Sequence, residues 1–370
     1  MPYRLGFVVE QTLGQVTHTQ NFQHWVARDP DVVPTWILIP YAPREHWEAL
    51  PLIRSNWTLR ASLHAWAELH KALRTEAFDA IFLHTQVTAL FAHRVMRQIP
   101  TIVSMDATPL NFDTIGGPYA HSPSVRPIEQ VKNALTRRTF DRASGLVIWH
   151  EWGRRSLVAE YGAAPDKVAV IPPGIDLVRW NFPRHEPDSD QLVRLLFVGG
   201  DFARKGGTTV LAAMRRGLAD RCELDIVTRE HVNTDGLRNV RVHHGLGPNA
   251  PELMDLYAHA DVFVFPTLAD VLPLAIMEAM ASALPVVTTN VGAISEQIED
   301  GVTGCVVPRN DVDALVTATE RLVTDAALRQ ALGAAARQAA QEQFDGSRNY
   351  PRILEMMKRT AQASRRRGWK

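Results

Sequence analysis

The chain has 370 residues, 46% of them hydrophobic, and its 40 Lys plus Arg balance 40 Asp plus Glu. At roughly 100–200 residues per domain that length favours two domains, and zero net charge excludes a global field drawing the chain to nucleic acid or an anionic membrane. The two cysteines, Cys222 and Cys305, lie far apart without CxxC spacing, which excludes a disulfide framework and a zinc site and fits a reducing cytosol.

The opening stretch MPYRLGFVVEQTLG lacks a basic region followed by a long apolar core. It reads as a first strand, not a signal peptide, and export is not expected. Short apolar runs then alternate with helical-period segments: LGFVVE, AIFLHT, TIVSMD, GLVIWH and KVAVIP, followed by RLLFVGG, ELDIVT, VRVHHG, DVFVFP and PVVTTN. Continuous apolar character marks strands covered on both faces, and intervening helices imply parallel βαβ units, so the fold class is α/β. RWNFPRHEPDSDQ (179–191) interrupts the series and is read as the linker. The expected organisation is a first domain over 1–185, a second over 186–345, and a C-terminal helix over 346–370 that packs back on the first domain. Each half opens with its own strand and loop, and two such doubly wound domains facing each other would make a ligand cleft beyond their strand ends. The longest apolar stretch, around 271–288, contains Glu278 and two prolines and is a poor membrane span. The basic tail SRRRGWK (364–370) reads as solvated and frayed, with contact to anionic head groups as the alternative.

Several groups collect where strands end. In the first half these are Gly14 with His18 just beyond it, His84, Asp106, and His150 beside Glu151. Polar groups at strand ends line the cleft of such a fold, although a single histidine is more often a satisfied structural residue. In the second half, VGGDFARKGG offers Gly199 and Gly200 for close backbone approach, Arg204 and Lys205 as cations, and a following helix start that favours an anion. Phosphate binding and a surface turn with two solvated cations both fit that segment, and no Walker pattern supports a P-loop ATPase. HHGLGPNA places Gly245, Gly247 and Ala250 in a G-x-G-x-x-A match, with Asp270 further on, so an NAD(P)-dependent oxidoreductase is a rival reading. Against it, the match falls late in its domain, and Pro248 removes one N–H. Asp29/Asp31, Asp188/Asp190 and Asp311/Asp313 are read as loop, linker and helix-start acids, and no metal site is expected. Glu278 is the only charged side chain from Val271 to Ser295, and burying it without a partner would cost several kcal/mol.

Together, VIPPGIDLVRW (170–180), LLFVGGDFARKGG (195–207) and the stretch from DVFVFPTLAD to RNDVDAL (261–315) resemble the retaining glycosyltransferases of family GT4, which have the GT-B fold. The similarity is dense over about 150–320. It is looser in the first half, through HTQ, DATP and SLVAEYGAAPDKVAVIPPG. The resemblance implies a nucleotide-sugar donor such as a UDP- or GDP-sugar on the second domain, a saccharide, lipid or other hydroxyl acceptor on the first, and no cofactor, metal or nucleic acid. The family's pair of acids with seven residues between them falls on Asp270 and Glu278; the first is usually Glu. By resemblance Glu278 binds the ribose hydroxyls and Asp270 lies near the transferred sugar. Val271, Leu272, Pro273 and Leu274 lead backbone N–H groups to the diphosphate, and Arg204 and Lys205 neutralise it as it leaves. Leu246 joins the donor side, while Gly14, His18, His84 and His150 fall to the acceptor, with Asp106 among the catalytic groups. An arginine is common directly after the first glycine of the phosphate strand. This chain has Gly200, and Arg204 is expected to substitute. The implied enzyme is cytoplasmic, with peripheral contact at the inner membrane face as an option through the tail. A non-catalytic nucleotide-sugar binder is the remaining alternative.

Overall fold

The computed structural model describes residues 1–12, 14–42, 56–119, 126–183 and 192–366. Its described residues divide into two compact units, one built from 1–112, 126–174 and 346–366 and the other from 113–119 and 175–345.

The first unit holds strands β1 (Tyr3–Gln11), β2 (Val32–Pro40), β3 (Ala80–His84), β4 (Thr101–Met105), β5 (Gly145–Ile148) and β6 (Val168–Val170). All pair in parallel in the order β2-β1-β3-β4-β5-β6. Strands β3, β4 and β5 are buried end to end, as their unbroken apolar runs require of a sheet covered on both sides. On one face Val8, Leu83, Val103 and Ile148 meet Ala61, Leu69 and Phe140. On the other, Phe7, Phe82, Ile102 and Val147 meet Phe22 and the helix Gly346–Arg366 through Tyr350, Leu354 and Met357. Tyr350 stacks on Phe22 with ring centroids 5.0 Å apart, and Lys358 pairs with Asp29 at 2.8 Å. Gly145 lies beneath this helix, where the Met356 methyl occupies the place of a Cβ. Residues 367–370 of the basic tail lie outside the described residues.

The second unit holds β7 (Val193–Val198), β8 (Cys222–Val227), β9 (Val240–His243), β10 (Val262–Phe265), β11 (Val286–Thr289) and β12 (Gly304–Val307). They form a second parallel sheet in the order β12-β11-β10-β7-β8-β9. The chain runs from β7 outward through β8 to β9 and then crosses back to β10 on the other side of β7. The loops leaving β7 and β10 therefore diverge around a gap, the position where an open α/β sheet takes its ligand. Cys222 and Cys305 are buried free thiols.

Two features correct the sequence reading. The change of unit falls between Gly174 and Ile175, earlier than the expected 185/186. Trp180 is the reason: it is fully buried against Tyr257 in a T-shaped contact of 5.1 Å, while Arg337 donates to the carbonyl oxygens of Trp180 at 2.9 Å and Leu177 at 2.7 Å. Residues 175–183 are thus packed structure and not linker; 184–191, including Asp188 and Asp190, lie outside the described residues. Strands β2 and β12 were also not read from the sequence. Both are edge strands, where Pro34 in β2 and Gly304 in β12 are tolerated although they break a strand pattern.

Because Tyr350 is buried between the helix and Phe22, Tyr350→Ala is expected to cost about 3–5 kcal/mol of stability. Urea unfolding monitored by tryptophan fluorescence checks this; a loss below about 1 kcal/mol would mean that the helix is not part of the core.

Candidate functional site

The loops leaving β7 and β10 are locked together by their backbones. Gly206 has φ +87°, and an added Cβ would strike the Pro266 carbonyl oxygen, so only glycine lets the first loop pass the second. Gly199 is constrained in the same way by Lys205 and Phe197, each 2.9 Å from the position of a Cβ. Arg204 is buried across this junction. Its Nε donates to Asp201 at 2.7 Å and its Nη1 to the Ala269 carbonyl oxygen at 2.8 Å, and its guanidinium stacks 4.1 Å over Tyr119. Its own carbonyl oxygen accepts from the Leu268 N–H at 2.8 Å. Arg204 is therefore a clamp between the loops, with its Nε and Nη1 engaged by protein oxygens.

Lys205 and Asp270 meet across the gap, Lys205 Nζ against Asp270 Oδ2. Burial depresses the Lys205 pKa, and the Asp270 carboxylate opposes that shift. The other carboxylate oxygen accepts the Val271 N–H at 3.0 Å, which fixes the rotamer. Asp270 is held from behind as well: Gly292, at φ +57°, leaves room for its carbonyl oxygen, and Ala293 N–H donates to the Val271 oxygen at 2.8 Å. Val271 and Leu272 are buried beneath the turn, and the helix Leu274–Ala281 then starts at Pro273 with no side-chain cap over its first N–H groups.

One turn into that helix, Glu278 finds its donor. Tyr257 Oη, from the helix Pro251–His259, donates to Glu278 Oε2 at 3.0 Å. Burial pushes the Glu278 carboxyl up to about 7, opposed by the tyrosine hydrogen bond. Tyr257 was not picked out from the sequence, because a tyrosine on the apolar face of a helix carries no signal beyond core packing. A second residue missed is Arg229, just past β8. Its Nε lies 3.2 Å from where a Gly200 Cβ would be, so an exposed arginine lies over the glycine that stands where the family commonly has arginine. The register explains it: two residues beyond the Val198 to Val227 pair, Gly200 and Arg229 come abreast. Leu246, by contrast, follows the edge strand β9, which β8 separates from β7.

In the first unit the expected residues are all described and have unequal roles. Gly14 is exposed at the start of the helix Gln15–Val26. His150 is an N-cap: its Nδ1 accepts the Gly153 N–H at 2.9 Å, so its Nε2 carries the proton and donates to the Asp106 carbonyl oxygen at 2.6 Å. His18 lies among Phe22, His84, Trp149 and Tyr350, and burial lowers its pKa to about 3. His84, stacked on Trp149, is likewise held neutral by burial; its Nε2 donates to Gln15 Oε1 at 2.7 Å, and Gln15 Nε2 donates to Asp106 at 3.1 Å. Among the acid pairs, Asp29 holds Lys358, and Asp311 caps a helix through the Ala314 N–H at 2.9 Å. No group of three His, Cys, Asp or Glu among the described residues could hold a metal ion.

Two family models match, "Glycosyltransferase Family 4" over residues 18–179 and "Glycosyl transferases group 1" over residues 193–325. The chain belongs to these family-4, group-1 glycosyltransferases. Among curated relatives, the D-inositol 3-phosphate glycosyltransferase of Paenarthrobacter aurescens is 30% identical over 230 residues, 56% of each chain. The chain spans about half the length of the first curated relatives it matches. Among solved structures, sucrose-phosphate synthase from Thermosynechococcus elongatus superposes with TM-score 0.77 at 17% identity, covering 98% of this chain and 100% of that one. Anabaena HepE, solved in complex with UDP-glucose, gives TM-score 0.68 at 15% identity, covering 96% and 99%. These likenesses show the fold, two doubly wound sheets of the GT-B class.

The raised pKa of Glu278 makes a signed prediction. Folding favours its protonated form, so the stability this group costs is absent below about pH 4.5, grows as pH rises towards about 7, and is constant above. Glu278→Gln cannot ionise, and between pH 5 and 8 its stability relative to the parent should rise by about 2–3 kcal/mol. Paired denaturation curves at the two pH values read the difference; a pH-independent gap would remove the assigned shift.

Proposed function

We propose that the protein is a retaining glycosyltransferase that moves a sugar from a nucleotide diphosphate sugar to a hydroxyl acceptor. The observation that carries the reading is the meeting of Lys205 and Asp270 across the point where the strand order of the second sheet reverses. There the cations Lys205 and Arg229 and the uncapped start of the helix Leu274–Ala281 surround the place a diphosphate would occupy. Negative charge grows on the leaving phosphate as the glycosidic bond breaks, and preorganised cations and N–H groups that stabilise it supply the largest catalytic contribution. Asp270, oriented by Val271 N–H and Lys205, faces the transferred sugar, and Glu278 takes the ribose hydroxyls. The UDP-glucose complex of the Anabaena neighbour supports a uridine nucleotide as donor. This reading calls for no metal or other cofactor, and retention follows the family resemblance. A cytoplasmic location accords with the donor class; among the described residues no helix is long and apolar enough to cross a membrane. The oxidoreductase alternative draws no support from geometry, since Gly245 and Gly247 follow the edge strand β9 and not the strand at the reversal.

Calorimetric titration with UDP, GDP and NAD tests the class: a nucleoside diphosphate should saturate the protein, and saturation by NAD alone would refute the proposal. Hydrolysis of a bound nucleotide sugar, or transfer to any acceptor, separates an enzyme from a pure binder.

Within the site, Glu278→Ala should weaken UDP binding about tenfold or more. Lys205→Ala should lower turnover about a hundredfold with a smaller effect on UDP affinity, and Arg229→Ala should act in the same direction. Unchanged kinetics in all three would dismiss the assignment. Because ribose hydroxyls donate to the ionised carboxylate, UDP affinity should fall as pH drops through about 7 in the parent, and this slope should vanish in Glu278→Gln.

A further inference from the structure

The first unit carries a basic face that the sugar chemistry leaves unused. It is built by the end of the helix Arg126–Arg142 and by the 3₁₀ turn Ala92–Arg97, which packs against it. His93 joins the two: its Nε2 is 2.7 Å from Thr139 Oγ1, and Arg142 Nη1 donates to its carbonyl oxygen at 3.4 Å. Residues three apart eclipse one another in a 3₁₀ turn, so Arg94 and Arg97 share a side, and both are exposed. On the helix, Arg138 and Arg142 are one turn apart and share a stripe. Burial first, and then Arg142, Arg138 and Arg97, lowers the His93 pKa, so the histidine among these arginines is uncharged at neutral pH.

Elsewhere on the surface arginines meet acids, as Arg154 meets Glu151, Arg216 meets Asp313 and Arg241 meets Glu223. Arg94, Arg97 and Arg138 make no hydrogen bond or ion pair among the described residues. Asp141, next to Arg142, is engaged by Lys167, whose Nζ also donates to its carbonyl oxygen at 2.7 Å. The C-terminal end of a helix suits cations, which accounts for Arg138 and Arg142 but not for Arg94 and Arg97. Nor does it account for Val131, seven residues before Arg138 and therefore on the same stripe, which is 60% exposed. An exposed apolar side chain among unpaired guanidiniums on one helix face is the arrangement of a helix that lies on an anionic lipid surface. The charges of the whole chain sum to zero, but screening confines each to about 8 Å at physiological salt, so a local face acts by itself. Arg97 and Arg142 stand just before β4 and β5 begin, at the end of the sheet opposite the loops that take ligands.

We propose that this face, Arg94, Arg97, Arg138 and Arg142 with Val131, docks the protein peripherally on an anionic lipid bilayer, the guanidiniums on head-group phosphates and the valine at the acyl boundary. The planar guanidinium fork matches phosphate oxygens. Duplex nucleic acid offers phosphates as well, but gives an exposed valine nothing apolar to enter. The inference goes beyond sugar transfer and does not depend on it, and the face is separate from the basic tail.

The full chain is sedimented with vesicles of phosphatidylcholine alone and with vesicles that also contain phosphatidylglycerol. It should partition onto the second kind and not the first, and raised salt should release it. Arg97→Ala and Arg138→Ala should each cut the partitioning about fivefold, and the two together about 25-fold. Val131→Ser should lower it about threefold. Arg97, Arg138 and Val131 are exposed, so the variants should keep the parent's melting temperature, which shows that they fold. Equal partitioning by the parent and the double variant, equal binding to pure phosphatidylcholine, or tighter binding to duplex DNA than to the anionic vesicles would overturn the docking face. Sedimentation uses no donor, which keeps the two readings apart: a protein that binds no nucleoside diphosphate fails the proposed function alone, while one that binds UDP and ignores anionic vesicles fails only this inference.

Discussion

The ion pair between Lys205 and Asp270 is the contact on which the second unit's site depends. Two loops that leave neighbouring parallel strands have no backbone ladder between them, so something else must fix their spacing. Here a half-buried lysine and a buried aspartate do so, and each offsets the cost of desolvating the other. Arg204 closes the same gap from below, with Gly206 and Gly292 removing the side chains that would hold the loops apart. The consequence is a rim of charge and N–H groups held in place by the protein's own contacts, the arrangement on which the proposed electrostatic catalysis relies.

The two units treat buried acids differently, and the difference is chemical. Glu278 is isolated from cations but receives a tyrosine hydroxyl, and its carboxyl sits close to its switching point at neutral pH. Glu10 accepts from Thr12, and burial together with the Asp106 charge raises its carboxyl to about 8. Environment, not residue type, sets these shifts.

Much of this was legible in the sequence. Ten apolar runs read as strands are strands, and the reversal of strand order follows from their sequence in two sheets. Lys205 was read from the segment VGGDFARKGG, and Asp270 and Glu278 from their resemblance to the family's pair of acids; that Lys205 meets Asp270 is visible only in the fold. Arg229 was not, because only the register of β7 against β8 brings it over Gly200. Glu10 closes an apolar run, where a carboxylate normally reads as the wet end of a strand; its burial under the loops after β3 and β4 has no sequence signature. Arg204 was legible as a cation but not as a clamp, since the partner that ties it to the other loop is the Ala269 carbonyl oxygen, which leaves no trace in composition.

The path of the chain through the first unit has a consequence for how the protein is made. Residues of that unit precede Gly174 and resume at Gly346, so Phe22 lacks its stacking partner Tyr350 until the rest of the chain has been synthesised. The nascent first sheet must wait with one face open, whereas nearly all of the second unit is continuous in sequence and can complete its core earlier. The part that begins first completes its core last, and a truncation that removes Tyr350 to Ala361 uncovers one face of the N-terminal sheet.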